Sequence, residues 1–137
     1  MNTQALDFGA VVSKKLTGTR LVLVRHGETD WNREMRFQGH TDIPLNKQGE
    51  TQALLVQRYL DTLAKTVGFQ IDACFSSDLA RAHNTARLVS EPFGLQVLLT
   101  QGLRERDYGH LSGLTGDANS RTKQKDTHLR PFHADHA

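Results

Sequence analysis

Leu21-Val22-Leu23-Val24-Arg25-His26-Gly27-Glu28 is the stretch on which the fold turns. Four consecutive apolar residues give way without transition to an arginine, a histidine and a glycine. A short run that is apolar at every position predicts a strand buried on both faces, as in a parallel sheet covered by helices. Ligands of open parallel sheets bind beyond the carboxyl ends of the strands. The abrupt polar end at Arg25-His26-Gly27 is therefore a candidate site.

On the C-terminal side, the chain to about Pro44 is polar and aromatic, with Trp31, Phe37 and Gly39, and reads as a long loop holding a helical turn. Asn46 can cap a helix running to about Ala64. Ala53, Val56, Leu60 and Leu63 recur at helical spacing and form its apolar stripe. Gly49 falls in the first turn, where glycine costs about 1 kcal/mol against alanine; close packing against another backbone would explain it. Residues 73–76 read as a second strand, and Ser77 or Asp78 can cap a second helix over about 79–89. Pro92 and Gly94 break the chain, and residues 95–99 read as a third strand. Strand, helix, strand, helix, strand predicts an α/β fold with a parallel sheet and right-handed crossovers.

The strand ends gather Arg25, His26, Arg81 and Glu105 at one edge. A phosphate needs rigid, multi-donor cations, and the arginine fork supplies them. A neutral imidazole can attack phosphorus, a carboxylic acid can protonate the leaving oxygen, and the arginines stabilise the charge in transit. Gly27 would let substrate approach the backbone beside His26.

Composition narrows the class. The chain has 137 residues, 37% hydrophobic and 23% charged, as expected of a globular domain. A net charge of +2 with no basic block gives no reason to expect nucleic acid. No apolar run approaches the roughly 20 residues of a membrane span, so no membrane partner is expected. The one cysteine, Cys74, excludes a disulfide framework, fits a reducing, cytoplasmic compartment, and reads as a buried structural thiol. Residues 1–18 read as a flexible leader without the features of a secretory signal. Beyond Gly116 apolar residues almost vanish, and residues 117–137 read as an atypical, disordered tail.

The stretch from Leu23 to Asn32, Leu-Val-Arg-His-Gly-Glu-Thr-Asp-Trp-Asn, resembles the signature of the histidine phosphatase superfamily, also called phosphoglycerate mutase-like. Three further pieces match in order: Phe37-Gln38-Gly39 with Pro44-Leu45 and Gly49; Ser76-Ser77-Asp78-Leu79 through Arg81, with Thr85-Ala86; and Leu103-Arg104-Glu105-Arg106 with Gly109. The resemblance covers roughly residues 20–114. It implies a parallel-sheet three-layer sandwich, here incomplete at the C-terminus, with residues 19–116 as the N-terminal part of the domain.

The resemblance implies roles. His26 would be the phosphorylated nucleophile and Glu105 the proton donor. Arg25 and Arg81 would bind the phosphoryl group, with Asn32 helping to hold phosphate or substrate. Gln38 and Gly39 would line the pocket. The partner is a small phosphorylated substrate, and no metal or organic cofactor is implied; no oligomeric state follows. The expected function is phosphomonoester hydrolysis through a phosphohistidine. The alternatives are phosphoglycerate mutase-type transfer, and a non-catalytic fragment or pseudoenzyme. The Leu-Arg-Glu-Arg-Asp-Tyr-Gly stretch from Leu103 looks more like the broad phosphatase branch than a dedicated mutase. The family also carries a second histidine in a late His-Gly segment. His26-Gly27 is the single such pair here, and the role passes to none of His128, His133 and His136. Truncation, a frameshift near Gly116 and gene decay all fit that pattern. Glu28 reads as loop support, Trp31 as packing, and His40, His83 and His110 as surface or rim residues. The tail histidines lack the ordered ligand set that zinc wants.

Overall fold

A computed structural model describes residues 18–116. The leader and the tail, with His128, His133 and His136, lie outside the described residues. The described chain is an α/β unit built on a parallel two-stranded sheet. In order it contains α1 (Asp30–Arg33), α2 (Lys47–Val67), β1 (Cys74–Ser76), α3 (Ala80–Ser90) and β2 (Val97–Leu99), with short 3-10 turns between and after them. β1 and β2 pair in the register Cys74 to Val97, Phe75 to Leu98 and Ser76 to Leu99. α3, the crossover between them, packs on both strands, and α2 packs on α3.

The long helix forms as its local signals dictate. Asn46 caps α2, its side chain accepting from the Gly49 N–H at 2.9 Å. Gly49, Ala53 and Leu60 are buried, with Val56 and Leu63 half-buried along the same stripe. The helix runs past Ala64 to Val67 and stops where Gly68 adopts φ 70°, a left-handed conformation that glycine takes without the usual Cβ penalty.

Several expectations need correction. Residues 21–24 are not a strand. Among the described residues no ladder partner lies beside them, and a strand without one has unpaired backbone groups and an uncovered side-chain row. Leu21 and Leu23 are accordingly 83% and 92% exposed. The sheet thus has two strands where three were expected, and β2 spans Val97–Leu99 rather than residues 95–99.

The second helix is not capped by Ser77 or Asp78. Its N-cap residue is Leu79, whose side chain cannot cap. The Ala80 N–H is met instead by Asp42 Oδ1 at 2.7 Å, from a loop 38 residues earlier. Ser77 Oγ accepts from the Leu79 N–H, and Asp78 is held by Arg104. Each of the expected caps is thus committed elsewhere.

Gly27 is not a gap left for substrate. A Cβ there would lie 2.3 Å from the Gly49 carbonyl oxygen, and one on Gly49 would lie 2.1 Å from the Glu28 carbonyl oxygen. The two glycines let the His26 segment and the first turn of α2 touch backbone to backbone. Cys74 is half-buried, and burial raises its thiol pKa above the ordinary value.

Among the described residues the buried apolar side chains are Ala53, Leu60, Leu79 and Val89. The buried polar set is larger: Thr29, Gln38, Ser76, Ser77, Arg81, Thr85 and Ser90. Buried polar groups are the informative ones, because each must find a hydrogen-bond partner. Several of these partners lead to His26 and Arg81.

Candidate active site

His26 follows the extended residues 21–24 and is half-buried. Its Nδ1 lies 2.7 Å from the Gly27 carbonyl oxygen. A carbonyl can only accept, so Nδ1 carries the hydrogen, and in the neutral ring Nε2 holds the free lone pair. The imidazole pKa lies below its ordinary value of 6.5. Desolvation is the largest cause, and the positive charges of Arg81 and Arg25 add to it; the Gly27 hydrogen bond and Glu105 oppose it. A neutral, oriented imidazole beside two cations suits attack on an anion.

Arg81 sits on the first turn of α3 and is 1% exposed. Burying a guanidinium is costly unless its donors are satisfied and its charge is met. Nη1 donates to the Thr41 carbonyl at 2.9 Å, and Nη2 to the Gly39 carbonyl at 2.7 Å. Nη2 also donates to Glu105 Oε2 at 3.1 Å. Of the five N–H donors of a guanidinium, Nε–H and one Nη1–H meet no protein acceptor among the described residues. The guanidinium is therefore braced through both Nη atoms while it stays buried.

His26 lies within electrostatic reach of Arg81, Arg25 and Glu105, and Arg81 pairs with Glu105 at 3.1 Å. Arg25 is exposed, and the Glu105 side chain is 38% exposed. His40 touches the same segment through Nε2, 2.9 Å from the Glu105 carbonyl, so it stands at the rim.

Asn32, Gln38 and Gly39 occupy the adjoining loop. Asn32 is the N3 residue of α1 and completes a capping box: its Oδ1 accepts from the Thr29 N–H at 3.1 Å, and the Asn32 N–H donates to Thr29 Oγ1. Gln38 is 3% exposed, and its Oε1 accepts from Thr29 Oγ1 at 2.7 Å. Gly39, at φ 52°, presents its carbonyl to Arg81; a Cβ there would meet the Tyr108 nitrogen at 2.9 Å. Gly39 thus abuts the arginine directly, whereas no hydrogen bond joins Asn32 or Gln38 to His26, Arg81 or Glu105.

Further bonds hold the loop in place. Glu28 Oε1 accepts from Asn46 Nδ2 at 2.8 Å, and the Glu28 N–H donates to Gln52, consistent with support of the loop. The Trp31 ring packs on Gly113, and Phe37 lies against Tyr108 at 4.9 Å between centroids.

Sequence reasoning missed two residues. Fully buried Thr29 joins Asn32 to Gln38, and Thr85 Oγ1 accepts from the Gly27 N–H at 3.0 Å. The sequence places Thr29 and Thr85 inside matching segments, but nothing in one sequence tells which distant amide a threonine meets. Among the described residues no cluster of metal-binding side chains occurs, and no helix is long and apolar enough to cross a membrane.

Comparison with known proteins gives a consistent result. The model of the histidine phosphatase superfamily, branch 1, matches residues 21–136, past the point near residue 114 where the sequence motifs end. The chain is 39% identical over 113 residues to an uncharacterized phosphatase, PhoE, of Bacillus subtilis strain 168, covering 82% of the chain and 54% of that protein. It is 43% identical over 103 residues to phosphoglycerate mutase-like protein 4 of Arabidopsis thaliana, covering 74% of the chain and 43% of that protein. The chain thus spans about half the length of the curated relatives it matches. Among solved structures, a mycobacterial glucosyl-3-phosphoglycerate phosphatase with bound VO3 aligns with a TM-score of 0.62 and 36% identity, over 73% of this chain and 48% of that one.

Proposed function

The chain belongs to the histidine phosphatase superfamily, and on that premise we propose that its site is built to hydrolyse a small phosphomonoester through a phosphohistidine on His26. The observation that carries this reading is Arg81: a buried guanidinium, braced by two carbonyls and Glu105, whose charge acts on an oriented His26 imidazole. A dianionic phosphate is the ligand that a fixed, buried cation beside an oriented imidazole suits.

In the first step His26 Nε2 attacks phosphorus, the bond from phosphorus to the ester oxygen breaks, and the Glu105 carboxyl gives that oxygen its proton. Arg25 and Arg81 meet the charge on the transferring group, and Asn32 adds a donor beside it. In the second step water attacks phosphorus, returns a proton to Glu105, and the phosphorus–nitrogen bond breaks. Inorganic phosphate and neutral His26 result. Gln38 and Gly39 border the substrate, and no metal or organic cofactor enters these steps. The single cysteine makes a reducing, cytoplasmic setting part of the proposal.

Mutase chemistry is the second reading. It shares the first step and returns the phosphoryl group to another substrate oxygen; the naming of several relatives as 2,3-bisphosphoglycerate-dependent phosphoglycerate mutases favours it. The test of both is labelling with phosphoramidate, a small phosphohistidine donor. The label should be acid-labile, alkali-stable and located on His26, and His26→Ala should abolish it. A label that survives in His26→Ala removes the nucleophile and the proposal with it.

A further inference from the structure

Gly27, the residue that orients His26, is gripped from three sides. Its own carbonyl accepts from His26 Nδ1 at 2.7 Å. The face that lacks a Cβ rests on the Gly49 backbone. The third hold is the Gly27 N–H, which donates to Thr85 Oγ1 at 3.0 Å across 58 residues of sequence. Thr85 is 4% exposed, and its hydroxyl hydrogen goes to the Arg81 carbonyl at 2.8 Å. A single hydroxyl therefore joins the backbone of the buried arginine to the backbone of the nucleophile.

A threonine bonding back to the carbonyl four residues earlier is common in helices. A buried N–H also needs an acceptor wherever it lies. What sets Thr85 apart is its place. Arg81 and Thr85 are one helical turn apart on α3, so the guanidinium and the His26 peptide are referenced to the same rigid turn. The bonds of the Arg81 side chain run to Gly39, Thr41 and Glu105, and none of them passes through Thr85. Loss of the hydroxyl should therefore misalign the nucleophile while leaving the phosphate cation in place.

We infer that Thr85 is a positioning residue for His26: Oγ1 holds the Gly27 N–H, in the peptide that joins His26 to Gly27, and so anchors the residue whose carbonyl orients the imidazole. This rests on the phosphohistidine reading above. It predicts an effect on the rate of phosphoryl transfer and not on capture of the donor, since misplacing reacting groups by about 1 Å costs on the order of 100-fold.

The test uses the full 137-residue chain. The His26 labelling rate is measured against phosphoramidate concentration in wild type, Thr85→Val and Thr85→Ser. Thr85→Val keeps the shape and loses the acceptor; its limiting rate should fall about 10- to 100-fold, with the half-saturating concentration changed less than about 3-fold. Thr85→Ser restores the hydroxyl and should recover the rate. A Val variant as fast as wild type, a Ser variant as slow as Val, or a loss confined to donor affinity overturns the inference. Should Thr85→Val not fold, Thr85→Cys, a weaker acceptor, replaces it with a smaller drop in rate expected. Amide exchange at Gly27 separates the two hypotheses. If no variant is labelled, faster Gly27 exchange in Thr85→Val supports the Thr85 hold while the phosphohistidine reading fails; unchanged exchange overturns the Thr85 inference itself.

Discussion

Replacing Gly49 by alanine sets two effects of opposite sign against each other. In an exposed helix interior the change stabilises by about 1 kcal/mol, because glycine gives up more backbone freedom on folding. Here the new Cβ would stand 2.1 Å from the Glu28 carbonyl oxygen and 2.7 Å from the Glu28 nitrogen. Ordinary contact begins near 3.4 Å, so α2 and the His26 loop must part by about 1.3 Å. Both sides are backbone, and no rotamer change can absorb that distance. Overpacking of this kind costs roughly 1–3 kcal/mol and sometimes more. The parting also stretches the bond from the Asn46 N–H to the Glu28 carbonyl, now 3.0 Å, which is worth about 1 kcal/mol. The clash wins, and the net loss should be about 2 kcal/mol, taking the overpacking at mid-range. Urea unfolding followed by far-UV circular dichroism, at low protein concentration, reads this directly. Gln48→Ala, an exposed site in the same turn, should change stability by less than about 0.5 kcal/mol. A Gly49→Ala chain as stable as wild type, or more stable, would refute the backbone contact and leave helix propensity as the deciding effect.

Arg81→Lys keeps the charge and loses the planar fork, so His26 labelling should fall by more than about 10-fold. Arg106→Ala, which removes a cation from over the Tyr108 ring, should change labelling by less than about 2-fold; equal effects would show the pocket to be misplaced. The acid limb of labelling should lie below pH 6.5, because burial and the two arginines depress the His26 pKa, and Glu105→Gln should move it lower still. A His26 titration midpoint above 6.5, read from its ring protons by NMR, would contradict this. The same shift carries a stability sign. Between the depressed folded pKa and 6.5 the unfolded chain binds more protons, so His26 removes stability as pH falls through 6.5 toward the folded value, and its contribution then levels off.

By itself the sequence determined what is local. Asn46 and the spacing of Ala53, Leu60 and their neighbours suffice for α2, since a cap and a helical period lie within a few turns of one chain segment. The strand–helix–strand alternation was enough for a parallel pair, and the matching segments around His26, Arg81 and Glu105 were enough for the family. Only the tertiary structure decided what depends on groups remote in sequence. Residues 21–24 carry the composition of a buried strand, yet a ladder needs a neighbour, and among the described residues none lies beside the run, which stays exposed. Asp42 rather than Ser77 or Asp78 caps α3, because the loop that bears it folds across the helix start. Gly27 faces a helix instead of a ligand, and Thr85 meets the Gly27 amide, through approaches that no spacing in the chain encodes. Residue types set which chemistry is available at Arg81; the carbonyls of Gly39 and Thr41 set which of its donors are spent, and that accounting exists only once the chain has closed on itself.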